Sequence, residues 1–203
     1  FRSPDVVVLA DWQFKALGAE LGRLEQAGIP VVVIDYNAQT LQRHVASTRI
    51  LGQLTAKPER AEQIAKAYEQ VVTTIRERVA AAHVAKPKIY IELGDKGPSE
   101  YSYTYGKNMW GAMAELVGGD NIAAPFVESW GTIHPEQLLA SKPDVILMAG
   151  YESVVSPTAM QVGQDIDADN VQRRLKGFTL RAGWSNLPAV KNNRVYAVYH
   201  GAT

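Results

Sequence analysis

The chain has 203 residues, of which 46% are hydrophobic, and its 21 Lys and Arg balance its 21 Asp and Glu. This hydrophobic share is ordinary for a globular protein with a real core. The balanced charge argues against nucleic acid or an anionic membrane as the partner. The absence of cysteine excludes disulfides and thiolate metal sites and leaves the redox compartment open. No apolar run approaches the ~20 residues of a membrane-spanning helix, and no signal peptide opens the chain.

The first predicted elements form a βαβ unit. Residues 6–10 are a continuous apolar run rich in β-branched side chains, typical of a parallel strand buried on both faces. A helix over residues 14–27 ends at Gly28, and residues 29–34 supply the next strand. Two strands joined through a helix by short loops predict a βαβ unit with a right-handed crossover.

Two predicted helices follow this unit. The first covers residues 40–54, and the second begins near Pro58 and keeps apolar residues at three-and-four spacing up to His83. At 1.5 Å per residue, about 26 residues reach roughly 39 Å. This is longer than a small lobe needs, so the helix either connects two lobes or is an ordinary long surface helix.

The remainder of the chain predicts a second unit of the same kind. Its strands are predicted at residues 87–93, from residue 143 and at 194–199, and its helices at 108–117, at 135–140 and near 170–176. Residues 142–151 nearly repeat residues 3–12, and aligning the two places Tyr151 opposite Trp12. We therefore expect two similar halves, each delivering an aromatic ring to the end of a strand.

Aromatic and polar side chains follow four predicted strands. They are Trp12 after the first strand, Tyr36 after the second, Tyr151 and Glu152 after the repeat strand, and His200 after the last. Because ligands of open α/β sheets bind outside the carboxyl ends of the strands, we expect these residues to line one cleft. Trp130 lies in a loop that could reach the same rim.

Three tyrosines alternate in the loop over residues 94–106. Alternation is expected to put Tyr101, Tyr103 and Tyr105 on the same side, next to Lys107. Phenol rings stack on flat ligands, donate hydrogen bonds and, as phenolates, ligate ferric or heme iron. The alternative is a short edge strand with one tyrosine face.

Catalytic and metal motifs are absent from the sequence. The histidines show no metal-ligand spacing, and His44 and His83 are expected on helix surfaces. No nucleophile elbow or phosphate-binding glycine loop occurs. We predict neither a bound bare metal ion nor an enzyme, and Trp184 is expected to be structural.

Several segments together resemble the substrate-binding proteins of ABC importers for iron-siderophores, heme and cobalamin. They are residues 4–8, 28–31, 114–123, 136–140 leading into 143–146, and 184–196, with the long helix between the halves. The resemblance implies an α/β fold of two Rossmann-like lobes with parallel-rich sheets, joined by one long helix. It places the remainder of the N-terminal lobe at residues 1–54, the connecting helix at 55–85 and the C-terminal lobe at 86–203. Members usually extend beyond both ends of this match, so we expect the chain to be a piece of a longer protein.

The resemblance also implies ligand and partners. A monomer in the periplasm, or a lipoprotein anchored to the cell membrane with its leader outside this chain, would deliver a small-molecule iron chelate to an inner-membrane permease. Family members dock on the permease through surface glutamates, for which Glu20 is the first-lobe candidate. The tyrosine loop, Lys107 and Arg181 fit an anionic ferric siderophore as the ligand. Heme is the second candidate ligand, and cobalamin or an oxyanion ranks below both. No intrinsic cofactor is expected.

Two other classes of function stay open at this point. Two-lobed α/β chelatases have a related architecture, and their chemistry would need a histidine and a carboxylate, for which His200 and Glu152 form the one suggestive pair. An interaction scaffold without a small ligand is the other class.

Overall fold

The computed structural model of the protein describes residues 4–38, 40–154 and 156–202. They form a mixed α/β structure whose two sheets are rich in parallel pairs, which confirms the predicted fold class. The chain divides into two compact units, Phe1–Ile75 and Arg76–Thr203. Within the described ranges, no helix is long and apolar enough to cross a membrane.

The first unit opens with the predicted βαβ arrangement. Its elements are β1 (Val7–Ala10), α1 (Asp11–Leu17), a 3-10 turn (Gly18–Glu20), α2 (Leu21–Gln26) and β2 (Val31–Ile34). β1 and β2 pair in parallel, with Val7 opposite Val31. The predicted single helix is broken at Gly18, whose φ of 48° is accessible to glycine at little cost. The crossover is therefore two short helices.

β1 is not buried on both faces, contrary to the sequence prediction. Val8 is 39% exposed, and the other residues of β1 and all of β2 are only partly buried. In the described part of the chain this sheet has two strands, so each strand has a partner on one side alone. A β-branched apolar run fits a pleated surface, but its burial depends on what covers that surface.

Two helices complete the first unit. They are α3 (Leu41–Leu54) and α4 (Pro58–Ala81), and the boundary between the units falls inside α4. Thr40 caps α3 by accepting a hydrogen bond from the Arg43 N–H at 3.3 Å. A side chain at Gly52 would collide with Ala61, so the glycine permits the close approach of α3 and α4.

The second unit contains the larger sheet. Its elements are β3 (Lys88–Leu93), β4 (Thr104–Tyr105), α5 (Met109–Leu116), β5 (Asp120–Asn121), β6 (Trp130–Gly131), α6 (Pro135–Ser141), β7 (Val145–Gly150), α7 (Ala168–Thr179), α8 (Pro188–Lys191) and β8 (Val195–Tyr199). The longer elements confirm the predicted strands and helices within a few residues. The two-residue strands β4, β5 and β6 lie in segments predicted as loops or irregular structure.

Strand order in this sheet decides which residues meet. The order is β6-β4-β3-β7-β8, with β5 also paired to β3. β3, β7 and β8 run parallel, so Leu93, Ala149 and Val198 lie side by side at their carboxyl ends. The residues that follow these strands, Asp95, Tyr151 and His200, therefore come to one edge of the sheet.

The core of the second unit is built around large side chains from α6, α7 and the following 3-10 turn. Leu138, Phe178 and Trp184 are completely buried and pack with Met148 and Met160. The structural role expected for Trp184 is confirmed by its burial. Each such side chain stabilises the fold by roughly 1.5–3 kcal/mol through burial alone.

A buried ion pair crosses this core. The Arg181 guanidinium donates to both carboxylate oxygens of Glu92, at 2.8 and 2.9 Å, and both side chains are almost fully buried. Arg181 also donates to the carbonyl oxygens of Gly97, Pro98 and Glu100. The expectation that Arg181 faces an anionic ligand is therefore wrong, because its donors already have partners inside the protein.

Candidate functional site

A cluster of two tyrosines and a histidine occupies the carboxyl edge of β3, β7 and β8. The Tyr105 hydroxyl lies 2.8 Å from His200 Nε2, and the Tyr151 and His200 rings lie 4.8 Å apart. Burial, with smaller contributions from Tyr151 and Asp95, raises the pKa of Tyr105 well above its usual range. Burial lowers the pKa of His200. Both shifts favour the uncharged forms, so at neutral pH a neutral phenol and a neutral imidazole share this hydrogen bond.

Two exposed aromatic rings lie beside this cluster, one on β6 and one immediately before β4. β4 and β6 pair so that Tyr105 is opposite Trp130. The Trp130 ring lies 4.8 Å from the Tyr103 ring at an interplanar angle of 49°. Trp130 is 63% and Tyr103 41% exposed. We refer to Tyr103 and Trp130 as the aromatic platform.

One exposed ion pair flanks the aromatic platform. Lys107 Nζ lies 2.6 Å from Glu128 Oε2, and the Lys107 N–H donates to the Glu128 carbonyl oxygen at 2.8 Å. Exposed pairs of this kind contribute little free energy, typically ~0–1 kcal/mol. The backbone hydrogen bond thus holds Lys107 near the platform. Its side chain can leave Glu128 for another anionic partner at little cost in free energy.

The three alternating tyrosines do not share one side, which corrects the sequence prediction. Tyr101 packs against the core around Trp184 and accepts a hydrogen bond from the Trp184 Nε1–H at 2.9 Å. Tyr105 is buried in a separate cluster with Ile91, and Tyr103 is exposed. The strand begins only at Thr104, so strand alternation does not apply to residues 101–103.

Glu152 is engaged within its own loop. Its Oε1 accepts a hydrogen bond from the Gln164 N–H at 2.8 Å, and its carbonyl oxygen accepts one from Gln161 Nε2. His200 instead contacts Tyr105 and Tyr151. Glu152 and His200, the pair that a chelatase would need, therefore contact different residues.

The predicted site residues of the first unit have different environments. Trp12 is 58% exposed on the first turn of α1, directly after β1. The Tyr36 hydroxyl lies 3.1 Å from Thr48 Oγ1, and the Tyr36 and His44 rings meet edge-on. Glu20 is exposed and pairs with Arg23 at 2.7 Å. Trp12 is the one ring of this unit that is open to a ligand among these residues.

His44 is not on the helix surface, contrary to expectation. Its ring stacks on Tyr68 at 3.8 Å and meets Tyr36 edge-on at 4.8 Å. Its Nδ1 is buried without a hydrogen-bond partner. Burial lowers the pKa of His44, because the charged ring would lose its hydration. His83 lies just beyond the end of α4 and is exposed, with a φ of 48°.

This environment predicts a pH-dependent stability. The folded state disfavours protonated His44, so the stabilisation by the neutral ring is complete above the unfolded pKa of about 6.5 and is lost as the pH falls below it. The variant His44→Phe should lower the slope of unfolding free energy against pH between about pH 5 and 7, by at most about 1.4 kcal/mol per pH unit. Urea midpoints at pH 5, 6 and 7 measure this. His200 stays in both proteins, so identical slopes would contradict the assignment to His44.

Asp95 is a site residue that the sequence analysis missed. It lies in the 3-10 turn after β3, accepts a hydrogen bond from the Ser102 hydroxyl, and raises the pKa of Tyr105 and Tyr151 after the larger effect of burial. Its position directly after a predicted strand was the available signal, the same one that selected Tyr151 and His200. Among the described residues, no group of three His, Asp or Glu is placed to hold a metal ion.

Comparison with known proteins identifies the family. The model of the family described as "Periplasmic binding protein" matches residues 3–199. The chain belongs to this family. A crystal structure of the TroA-like periplasmic binding protein FepB from Veillonella parvula superposes with a TM-score of 0.86 at 35% identity, covering 98% of this chain and 58% of that one.

Two curated relatives are similar to the same region. The vitamin B12-binding protein of Yersinia pestis (strain Pestoides F) is 30% identical over 154 residues, which are 75% of this chain and 51% of the relative. The ABC transporter substrate-binding lipoprotein YvrC of Bacillus subtilis (strain 168) is 25% identical over 197 residues, 96% of this chain and 54% of the relative. The chain thus spans about half the length of these relatives. They are binding proteins rather than enzymes, which confirms the resemblance stated from the sequence.

Proposed function

We propose that this chain is part of the substrate-binding component of an ABC importer and that it captures a ferric siderophore for delivery to a membrane permease. The family and the named relatives support the role in binding and transport. The siderophore is our finer proposal and depends on the carboxyl edge of the sheet in the second unit.

The exposed aromatic platform is the observation that carries this proposal. Two large rings, 41% and 63% exposed and 4.8 Å apart, lie at the edge where ligands of parallel sheets bind. Exposed apolar groups gathered at such an edge mark a binding surface. The organic shell of an iron chelate offers rings and apolar faces that stack on Tyr103 and Trp130.

Charged and hydroxyl groups near the aromatic platform suit the polar part of such a ligand. Lys107 can leave its exposed partner Glu128 for a carboxylate or phenolate of the chelate. The Tyr151 hydroxyl, on a side chain that is 37% exposed, provides a donor on the other flank. Trp12 remains our proposed ligand contact on the first unit.

Heme is the second candidate. A phenol beside an imidazole, as in Tyr151 and His200, is a pair of iron-ligating groups in one place. The ligand would be transported cargo, with no resident cofactor. The relative named for vitamin B12 adds a corrinoid as a third class to be tested.

The partners and location follow from the same proposal. A monomer in the periplasm, or one tethered as a lipoprotein as the name of YvrC states for that relative, would present the ligand to the permease of the inner membrane. Glu20, exposed and only weakly held by Arg23, is our candidate for permease docking in the first unit.

Fluorescence titration tests the ligand class. Ferric catecholate, ferric hydroxamate, hemin and cyanocobalamin are titrated separately, and we expect saturable quenching of tryptophan emission by ferric catecholate or hydroxamate. The double variant Tyr103→Ala/Trp130→Ala should weaken binding by about fivefold to 150-fold, since two stacked rings contribute roughly 0.5–1.5 kcal/mol each. Affinity of this variant is followed by the ligand's own absorbance.

Phe126→Ala provides the matched control. Phe126 is an exposed ring of the same unit, 49% exposed, and lies outside the aromatic platform. Its loss should leave the affinity unchanged. Saturable binding of hemin alone would move the assignment to heme, and binding of cyanocobalamin alone would move it to a corrinoid. No binding of any of the four by folded protein would contradict the proposed function.

A further inference from the structure

A cavity between α3 and α4 in the first unit has no part in the function proposed above. Its volume is about 330 Å³, and its lining comes from both helices, from the segment that joins them and from Tyr36 after β2. This volume is at the lower end of the range for small-molecule sites, roughly 300–1,000 Å³. A small organic molecule fits such a space.

The interior of the cavity is largely apolar. Leu51, Ala61 and Ile64 supply aliphatic surface, and Gly52 lets the two helices approach closely at this point. Ile64 is 44% exposed although it lines the cavity. An apolar ligand body would cover surface that otherwise faces water, which is favourable at roughly 25 cal/mol per Å².

The hydroxyl groups of one wall already have partners. Tyr36 and Thr48 bond to each other at 3.1 Å, and the Thr48 hydroxyl also donates to the His44 carbonyl oxygen. The His44 ring is held by Tyr36 and Tyr68. This wall is therefore a preformed aromatic surface whose hydroxyl groups need no ligand, although the buried His44 Nδ1 has no hydrogen-bond partner among the described residues.

The charge at the cavity is positive. Lys57 and Arg60 line it, and none of its lining residues is acidic. In the part of the chain that the structure describes, neither side chain forms an ion pair, and Arg60 makes one long hydrogen bond to Gln63 Oε1 at 3.3 Å. The nearby acidic residue Glu62 instead pairs with Arg49.

From these observations we propose that the cavity binds a small organic monocarboxylate. The carboxylate pairs with Lys57 and Arg60, and the apolar body lies against Leu51 and Ile64. An inorganic anion would use the two cations and leave the apolar surface uncovered. A neutral molecule of the same shape would leave both cations without a partner. The combination therefore selects an amphipathic anion over either.

Benzoate is the probe for this site, and benzyl alcohol is its neutral counterpart. Binding to the 203-residue chain is followed by amide chemical shifts in ¹H–¹⁵N spectra. We expect saturable shifts confined to α3, the start of α4 and the segment between them, with benzyl alcohol binding at least fivefold more weakly than benzoate. Inorganic phosphate should produce no saturable shift at these amides.

The variant Lys57→Gln/Arg60→Gln tests the two cations. Both side chains are exposed, so the fold should persist, and the affinity for benzoate should fall at least fivefold while that for benzyl alcohol stays the same. Lys66→Gln is the matched control, because Lys66 lies on the same helix and outside this cavity. Absent or unsaturable benzoate shifts, or an affinity unchanged in the double variant, would overturn the proposal.

Discussion

The variant Arg181→Met should lose about 3–5 kcal/mol of unfolding free energy, the usual result of removing one partner of a buried ion pair. Glu92 has no measurable exposure, and methionine would leave its carboxyl group buried without its guanidinium partner. The loss extends beyond the pair. The carbonyl oxygens of Gly97, Pro98 and Glu100 each lose a donor.

The double variant Glu92→Gln/Arg181→Met separates charge from packing. Glutamine removes the stranded charge and can still accept a hydrogen bond from the Ser102 N–H or the Tyr90 hydroxyl. We expect it to be more stable than Arg181→Met alone. Urea denaturation followed by far-UV circular dichroism measures all three proteins. A double variant as unstable as the single one would show that lost packing, and not the unpaired charge, dominates.

The variant Trp184→Ala should destabilise the second unit by about 3–5 kcal/mol, as large-to-small changes in a core do. Trp184 is fully buried, and its Nε1–H donates to the Tyr101 hydroxyl at 2.9 Å. Its ring also lies 5.0 Å from the Arg181 guanidinium carbon. Removing it opens a cavity and withdraws a contact from the buried ion pair.

Trp130→Ala is the matched control for this prediction. Trp130 has the same side chain but is 63% exposed. Its removal should change the unfolding free energy by no more than about 0.5 kcal/mol. Thermal unfolding of both variants against the parent gives the comparison, and a loss for Trp130→Ala equal to that for Trp184→Ala would mean that exposure does not decide their roles.

Periodicity and turn residues predicted most of the fold. The run of apolar residues at 6–10 and the glycine at 28 identified β1, the crossover and β2. The proline at position 58 marked the start of α4. These signals are local, because the start of a helix or the position of a strand depends mainly on neighbouring residues. They can therefore be interpreted before any tertiary contact is known.

Long-range contacts explain what the sequence did not predict. Arg181 is 89 positions from Glu92 along the chain, and only the folded sheet reveals that the two are paired. Tyr101 does not share a face with the other two tyrosines, because it packs on Trp184, 83 positions away. His44 was predicted on a helix surface, whereas in the structure its ring packs between Tyr36 and Tyr68. Residue type alone does not distinguish such structural roles from ligand contact.

The two sheets differ in how their strands are protected. β3 and β7 contain runs of fully buried residues between neighbouring strands, whereas no residue of β1 or β2 is fully buried. Local opening requires the least work where few buried contacts are broken. The amides of β1 and β2 should therefore exchange with solvent through small local fluctuations. Those of β3 and β7 exchange only when the second unit unfolds as a whole. A destabilising substitution in the second unit should therefore raise the exchange rate of all its protected amides. A destabilising substitution in β1 should raise the exchange rate of nearby amides only.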